Sequence, residues 1–293
     1  MEREKFLIKS RNGHHKRLKK TKSQKDYLWL HLRELPYFRS LLRAVEARFY
    51  EEFTLDKPVL DVGCGDGHFA SVVFDEPLDA GIDPWEAPIH EASRRGAYRL
   101  LAQSEGGEMP FPAASFNTAI SNSVLEHIPD VEAVLRETAR VLKPGGTFLF
   151  CVPNHNFLGS LSIGRLLDRL GLRRLGDAYR RFFNRIARHH HSDPPEVWQA
   201  RLEAAGFQVE RWWHYYSPRA MQVSEWGHLL GLPSLVARKL TGRWILAPTR
   251  WNLGLTYRLL KPYYDEDPRR EDGVCTFYVA RRSESVVPRR SAE

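Results

Sequence analysis

Apolar residues recur along this chain at two different periods, and the switch between them marks out the elements. From Asp26 to Phe53, Tyr27, Leu28, Leu30, Leu32, Leu35, Phe38, Leu41, Leu42, Val45 and Phe49 fall mostly at helical spacing, and Pro36 divides the stretch into two predicted helices. PVLDVG is a short apolar run closed by glycine, which predicts a buried strand. HFASVVF predicts the following helix, DAGID a second strand, YRLLAQ a weak third and FNTAISN a fourth. DVEAVLRETARVLKPGG reads as a helix with a strong stop at Lys143, Pro144 and Gly145, and TFLFCVP as a fifth strand. Strands alternating with helices imply βαβ units and a mainly parallel sheet covered on both faces.

After Pro153 the pattern changes. SDPPEVWQARLEAAGFQVERWW predicts a helix and then a strand, with Ser192 or Asp193 as the cap and Pro194 or Pro195 in the first turn. GVCTFYVARR predicts the last strand. Residues 157–193 and 213–272 exceed what a minimal sheet needs and read as helical insertions forming a cover. The chain is thus expected to be one domain over residues 26–282, with its core at 57–156, 194–212 and 273–282. A basic segment 1–25 precedes it and an unstructured tail 283–293 follows.

Length and composition are compatible with that organisation. At 293 residues and 42% hydrophobic content the chain can bury one substantial core. Cys64, Cys151 and Cys275 stand singly, without metal-ligand pairing or a disulfide framework, so a reduced, cytoplasmic protein is expected. The apolar FLI near the start is too short for a signal-peptide core, and HLLGLPSLVA stops at Arg238 and Lys239, so no membrane span is expected. The net charge of +8 is uneven, since Lys9 to Lys25 carries eight Lys or Arg and no acid. Such a run either meets nucleic acid or an anionic membrane, or is a solvated tail.

The candidate chemistry begins at VLDVGCGDG. Glycines at a strand-to-helix turn let a ligand approach the backbone without meeting a Cβ, and Gly63, Gly65 and Gly67 suit that use. A dinucleotide fingerprint needs a small residue three positions after Gly65, where His68 stands, so a pyrophosphate ligand is disfavoured. The spacing suits a nucleoside with an amino-acid tail instead. Asp83 follows AGI at the end of the second strand, where a carboxylate can accept from both hydroxyls of a ribose, with Ile82 and Trp85 flanking an adenine.

Four segments, VLDVGCGDG, GIDP, MPFPAASFNTAISNSVLEHIPD and VLRETARVLKPGGTFLFCVPN, together resemble the class I S-adenosylmethionine-dependent methyltransferases, in particular the small-molecule branch with an LPF…SFD…VLEH signature. The resemblance covers roughly residues 57–156, with a fainter likeness at VWQARLEAAGFQVE. It implies a Rossmann-like seven-stranded sheet whose last strand is antiparallel, and S-adenosyl-L-methionine as cofactor. It places Asp61 and the backbone of Gly63, Cys64 and Gly65 at the methionine end, Asp83 at the ribose, Glu105 and Gly106 at the adenine edge, and Ser121 and Asn122 near the methyl-bearing end, with Pro84 also among the cofactor-binding residues. SEGG stands where relatives usually carry an acidic residue with a small neighbour, and Asn117 where they usually carry Asp.

Methyl transfer from a sulfonium is an in-line displacement, so a base is needed only if the acceptor must lose a proton. His127 in VLEH is the candidate base, with His155 and His191 as alternatives; the competing role for His127 is bracing the loop, and Glu126 reads as structural. Some ubiquinone-type relatives place a further carboxylate three residues before the Glu-His pair, in a branch linked to a divalent metal. Ser123 stands there, a hard cation loses a ligand, and no metal is expected. Of His189, His190 and His191, consecutive in sequence, one ion could take at most two.

Residues 157–188 hold eight arginines against two aspartates, with Ile163, Leu166, Leu167, Leu170, Leu175, Tyr179, Phe182, Phe183 and Ile186 at helical spacing. Such a segment lies at a membrane surface, binds an anionic, lipid-linked substrate, or packs its apolar stripe on the core. Five of the eight tryptophans, Trp212, Trp213, Trp226, Trp244 and Trp251, gather around the second insertion, as pocket walls or as filling. The expected function is methylation of a small-molecule or lipid- or glycan-linked acceptor, most simply at oxygen, with no obligate protein partner. The competing class is a nucleic-acid methyltransferase using the basic segment. Against it, no RNA-binding module is recognisable, and SNSV stands where an amine-methylating N-P-P-Y/F/W motif would lie.

Overall fold

The computed structural model describes residues 25–284; most of the basic segment and the tail from residue 285 lie outside the described residues. In chain order the elements are α1 (Tyr27–Leu32), α2 (Tyr37–Tyr50), β1 (Val59–Val62), α3 (His68–Val73), β2 (Leu78–Asp83), α4 (Glu86–Arg95), β3 (Tyr98–Gln103), β4 (Phe116–Asn122), α5 (Val131–Val141), β5 (Leu142–Pro153), α6 (Ser162–Arg169), α7 (Arg173–Ala187), α8 (Pro195–Ala204), β6 (Phe207–Tyr215), α9 (Pro218–Leu230), α10 (Leu232–Thr241), α11 (Arg250–Tyr264) and β7 (Cys275–Arg282). The strands form one seven-stranded sheet in the order β3-β2-β1-β4-β5-β7-β6. β7 runs antiparallel to both its neighbours and the other pairs are parallel, as the resemblance implies.

The central strands are buried on both faces, which is why their sequences are continuous apolar runs. Two hydrophobic clusters cover the sheet. On one face Phe49 and Tyr50 of α2 pack against Phe277 of β7, Tyr50 edge-on, with α1 and α3 nearby. On the other, Trp198 of α8 is fully buried against Phe150, and Phe150 stacks on Tyr278 at 4.7 Å. Each such side chain contributes roughly 1.5–3 kcal/mol by leaving water.

Several expectations are corrected by the structure. α4 was not expected, because among its ten residues only Ala92 is buried and no apolar stripe marks it. Neither Ser192 nor Asp193 caps α8: Pro194 occupies that position without a side-chain bond, and Asp193 pairs with Arg201 at 2.5 Å. β6 runs on to Tyr215. The 157–193 segment forms the α6–α7 hairpin, and α9, α10 and α11 arise from the second insertion; α9 packs on α2, α11 on α1 and α2, and α10 on α9. Of the tryptophans there, Trp213 stacks on Phe277 at 4.9 Å, whereas Trp251 is 92% exposed. Among the described residues no helix is long and apolar enough to cross a membrane.

Candidate active site

β1 ends against β2 with Asp61 beside Gly81, and the chain then turns through Gly63, Gly65 and Gly67 before α3 begins. All three adopt left-handed backbone conformations. The reason for a missing side chain differs among them. At Gly63 a Cβ would lie 2.3 Å from Cγ1 of Val124, so the protein itself makes the close approach. At Gly65 a Cβ would meet nothing within 4 Å, so it is here that the backbone faces open space. His68, after the loop, is buried and reaches back to α1, its Nε2 lying 2.9 Å from Nδ1 of His31 and its Nδ1 3.2 Å from Glu34.

Asp83 locks this loop to the end of β2. One carboxylate oxygen accepts from the Gly65 amide at 3.0 Å and the other from the Trp85 amide at 3.0 Å, leaving each oxygen capacity for a further donor. Burial raises its pKa, opposed by those two amides. Asp61 accepts from the Tyr98 hydroxyl at 2.7 Å, and burial pushes its pKa up to about 7.

The loop opens into a cavity of about 620 Å³, within the roughly 300–1,000 Å³ of small-molecule sites. Asp61, Gly63, Cys64, Gly65, Asp83, Pro84, Glu105, Gly106, Asn122 and His127 all line it, together with Ile82 and Trp85. Gly67 and Ser121 do not. Gly67 sits where a Cβ would press on Ala92, and the Ser121 hydroxyl is buried, donating to the Val62 carbonyl at 2.8 Å. Glu105 is exposed at the rim, and Cys64 is a buried thiol whose pKa burial raises.

Several lining residues were missed from sequence. Arg39 and Arg43, one turn apart on α2, enter the cavity, as do Arg238 and Trp244 from the second insertion. Arg43 donates to Glu46 at 2.8 Å and to the Asn122 carbonyl at 3.0 Å, and Arg238 pairs with Glu91 at 2.5 Å. Arg39 lies over the Trp244 ring and, among the described residues, has no ion pair. Helical spacing of two arginines was the available signal. Glu46 was missed too. It is fully buried, and its two oxygens accept from Arg43, Asn122, Ser123 and Tyr215 at 2.6–2.8 Å, clamping the end of β4 to α2 and β6.

His127 closes a single 3₁₀ turn, Leu125–His127, after β4. Its Nδ1 lies 3.0 Å from the Arg188 carbonyl. A carbonyl can only accept, so Nδ1 carries the hydrogen and Nε2 is the free basic nitrogen. Burial lowers the His127 pKa, the Arg188 carbonyl opposing it, so the imidazole is neutral near pH 7. Glu126 beside it is buried with its pKa raised to about 8 by burial, and one of its oxygens has no partner. His189 approaches the His127 ring at 5.2 Å, with burial lowering its pKa to about 3. The alternative bases are placed elsewhere: Nε2 of His191 is 3.0 Å from the Ile128 carbonyl, and His155 lies against His214, outside the cavity wall.

Glu126, His127 and His189 offer ligand atoms within 4.8 Å of one another, a donor set that could hold a transition-metal ion and is unsuited to a hard cation. Of the three consecutive histidines only His189 takes part. Ser123 is not in the group; its hydroxyl donates to Glu46. A separate cavity of about 770 Å³ between α6, α9 and the loop before β7 contains none of the motif residues.

The residues fit S-adenosylmethionine on structural grounds. The loop leaves backbone bare at Gly65, Asp83 has spare acceptor capacity at the strand end, and Arg39 offers an uncommitted cation for a carboxylate in the same cavity. Comparison with known proteins agrees. Ubiquinone biosynthesis O-methyltransferases from Pseudomonas fluorescens and Idiomarina loihiensis are 33% identical over 129 residues and 32% over 127, each match covering 39% of this chain. The chain spans about half the length of these curated relatives, 54% and 51%. Two solved structures share the fold at low identity. A candidate sarcosine dimethylglycine methyltransferase from Galdieria sulphuraria has a TM-score of 0.52 at 17% identity, over 85% of this chain and 86% of that one. The (4+2)-cyclase SpnF has 0.50 at 18%, over 86% and 84%. The family model described as a methyltransferase domain matches residues 29–211, more than half of the sequence, and the chain therefore belongs to that family, the class I S-adenosylmethionine-dependent methyltransferases.

Proposed function

We propose that this protein methylates a hydroxyl oxygen of a small-molecule or lipid-linked acceptor, with Nε2 of His127 as the base. The observation that carries the reading is the bond from His127 Nδ1 to the Arg188 carbonyl, which leaves Nε2 unprotonated at the wall of the donor cavity. S-adenosylmethionine, when bound, supplies a methyl group on a sulfonium to a nucleophile in line with the breaking bond. The chain's residues have two tasks. Asp83 offers its spare acceptor sites to a ribose diol, Arg39 its guanidinium to the amino-acid carboxylate, and Asp61 a carboxylate to the ammonium. His127 takes the acceptor's hydroxyl proton at Nε2, and the adjoining Glu126 carboxyl, 3.7 Å away, stabilises the imidazolium once ionised. The O-methylation by which the ubiquinone biosynthesis relatives are named supports oxygen as the acceptor atom.

The test uses cell extract, labelled methyl donor and identification of the labelled product. A methyl ether is expected; a product methylated at nitrogen or carbon would overturn the reading. In calorimetry Asp83→Ala is expected to lose cofactor binding. His127→Ala is expected to keep it while turnover falls by about 10²–10⁴-fold. Full turnover in His127→Ala would remove the base assignment.

A further inference from the structure

The mouth of the site continues into a groove of about 800 Å³ along α7, lined by Arg181, Asn184, Arg185, Arg188 and His190 with His127, His189 and Trp85. His127 and Trp85 line both this groove and the donor cavity, so the two spaces share a wall at the proposed base. Among the described residues no carboxylate lines the groove. Arg181 and Arg185 lie one turn apart on α7, and Arg188 follows three residues on as its C-cap, the row spanning roughly 10 Å along the axis. None of the three has an ion pair among the described residues, whereas the adjacent Arg180 is held by Asp168 and Asp177.

Like charges at this spacing repel, and an unoccupied row of them does not stabilise the helix. Arg185 and Arg188 gain from the helix C-terminus, but Arg181 lies too far back for that. The row is also tied to the base, because the Arg188 carbonyl is the group that holds His127 Nδ1.

Resting on the reading of His127 as the acceptor-side base, we propose that this groove binds a phosphate group carried by the acceptor, with Arg181, Arg185 and Arg188 as its ligands. Planar guanidinium forks suit phosphate oxygens, and three of them suit a group with more than one negative charge. A phosphate ester in solution and one carried on a lipid share this chemistry. The adjoining face of α7 exposes Leu175, Phe182 and Ile186, which a lipid-borne acceptor would meet.

The test uses the full chain loaded with S-adenosylhomocysteine and inorganic pyrophosphate as probe, with vesicles of phosphatidylcholine containing or lacking phosphatidic acid as a second arm. The variant is Arg181→Gln/Arg185→Gln/Arg188→Gln, and Arg173→Gln/Arg174→Gln on the same helix, outside the groove, controls for general charge. The groove variant is expected to bind the probe roughly tenfold or more weakly, while the control variant binds as the parent does. Dependence on the three arginines in the pyrophosphate arm assigns a soluble phosphate, and dependence only in the phosphatidic acid arm assigns a lipid-borne one. Absence of binding in both arms, or equal loss in the control variant, overturns the proposal. Affinity for S-adenosylhomocysteine is read separately. Its retention shows that the donor site stands whatever the groove does, and its absence in the parent protein would overturn the methyltransferase reading and this one with it.

Discussion

Replacing Glu46 with alanine would remove one carboxylate that accepts from four side chains. Arg43 and Asn122 donate to one oxygen, at 2.8 and 2.6 Å, and Ser123 and Tyr215 to the other, both at 2.8 Å. Glu46 is fully buried and the Arg43 side chain is 18% exposed, so water cannot readily replace the lost partner. Breaking a buried pair from one side costs about 3–5 kcal/mol. That is a large share of the roughly 5–15 kcal/mol that holds a domain folded. Glutamine should behave differently. With its carbonyl toward Arg43 and Asn122, which can only donate there, and its amide toward Ser123 and Tyr215, whose hydroxyls can turn to accept, every bond is kept and only the charge is lost. Its cost should be about 1–3 kcal/mol, the difference between a charged and a neutral acceptor. Urea unfolding followed by linear extrapolation reads both values, with the midpoint falling and the slope unchanged. If alanine costs under about 1 kcal/mol, or no more than glutamine, then the clamp between α2, β4 and β6 does not stabilise the fold as argued.

Two further outcomes are expected. Asp61, whose pKa burial raises to about 7 from an ordinary 3.8, holds its proton longer in the folded state than in the unfolded one, so its contribution to stability is lost as pH rises between those values. A bound ammonium would draw that proton off, so cofactor affinity should rise about tenfold per pH unit up to pH near 7 and then level; calorimetry on Asp61→Asn should show no such slope. Exhaustive chelation should leave turnover unchanged; loss of activity with recovery on adding a transition-metal ion would make Glu126, His127 and His189 a metal centre and take the base role from His127.

What the sequence revealed followed from whether the signal was local. β1, β2, β4 and β5 were readable because burial on both faces makes each a short apolar run, and the glycine loop with Asp83 was readable because each lies at a strand end within one βαβ unit. α4 was not, since a solvated helix has no apolar period to detect. Placing both Ser121 and Asn122 at the cavity ignored the alternation of a strand, in which neighbours face opposite ways; only Asn122 lines the space, and its amide is committed to Glu46. The Glu46 clamp joins residues up to 169 positions apart, and no window of sequence contains it. The tryptophans failed for another reason: composition can place five in one stretch without saying which way any of them faces.

The two insertions were expected to act as a cover, yet the first is bonded into the turn that carries His127, the proposed base. Three bonds reach the turn itself, beside the one from His191 Nε2 to the carbonyl of Ile128, the residue after it. The Arg188 carbonyl holds His127 Nδ1 at 3.0 Å, and the amides of His190 and His191 donate to the Glu126 carbonyl at 2.7 and 3.3 Å. Arg188 itself sits at the end of α7 with a left-handed φ of 58°, a conformation that costs energy for a side chain of its size. That backbone turn brings its carbonyl to the imidazole and sends the following histidines across the turn. The tautomer of His127 is therefore set by where α7 ends. A change that shifted the end of α7 by one residue would move the carbonyl that holds the hydrogen on Nδ1 and so release the tautomer of His127. The carbonyl that holds the proposed base and the arginines of the proposed phosphate groove thus sit at one end of α7, so both proposals predict that remodelling this helix changes acceptor use while the glycine loop and Asp83 stay as they are.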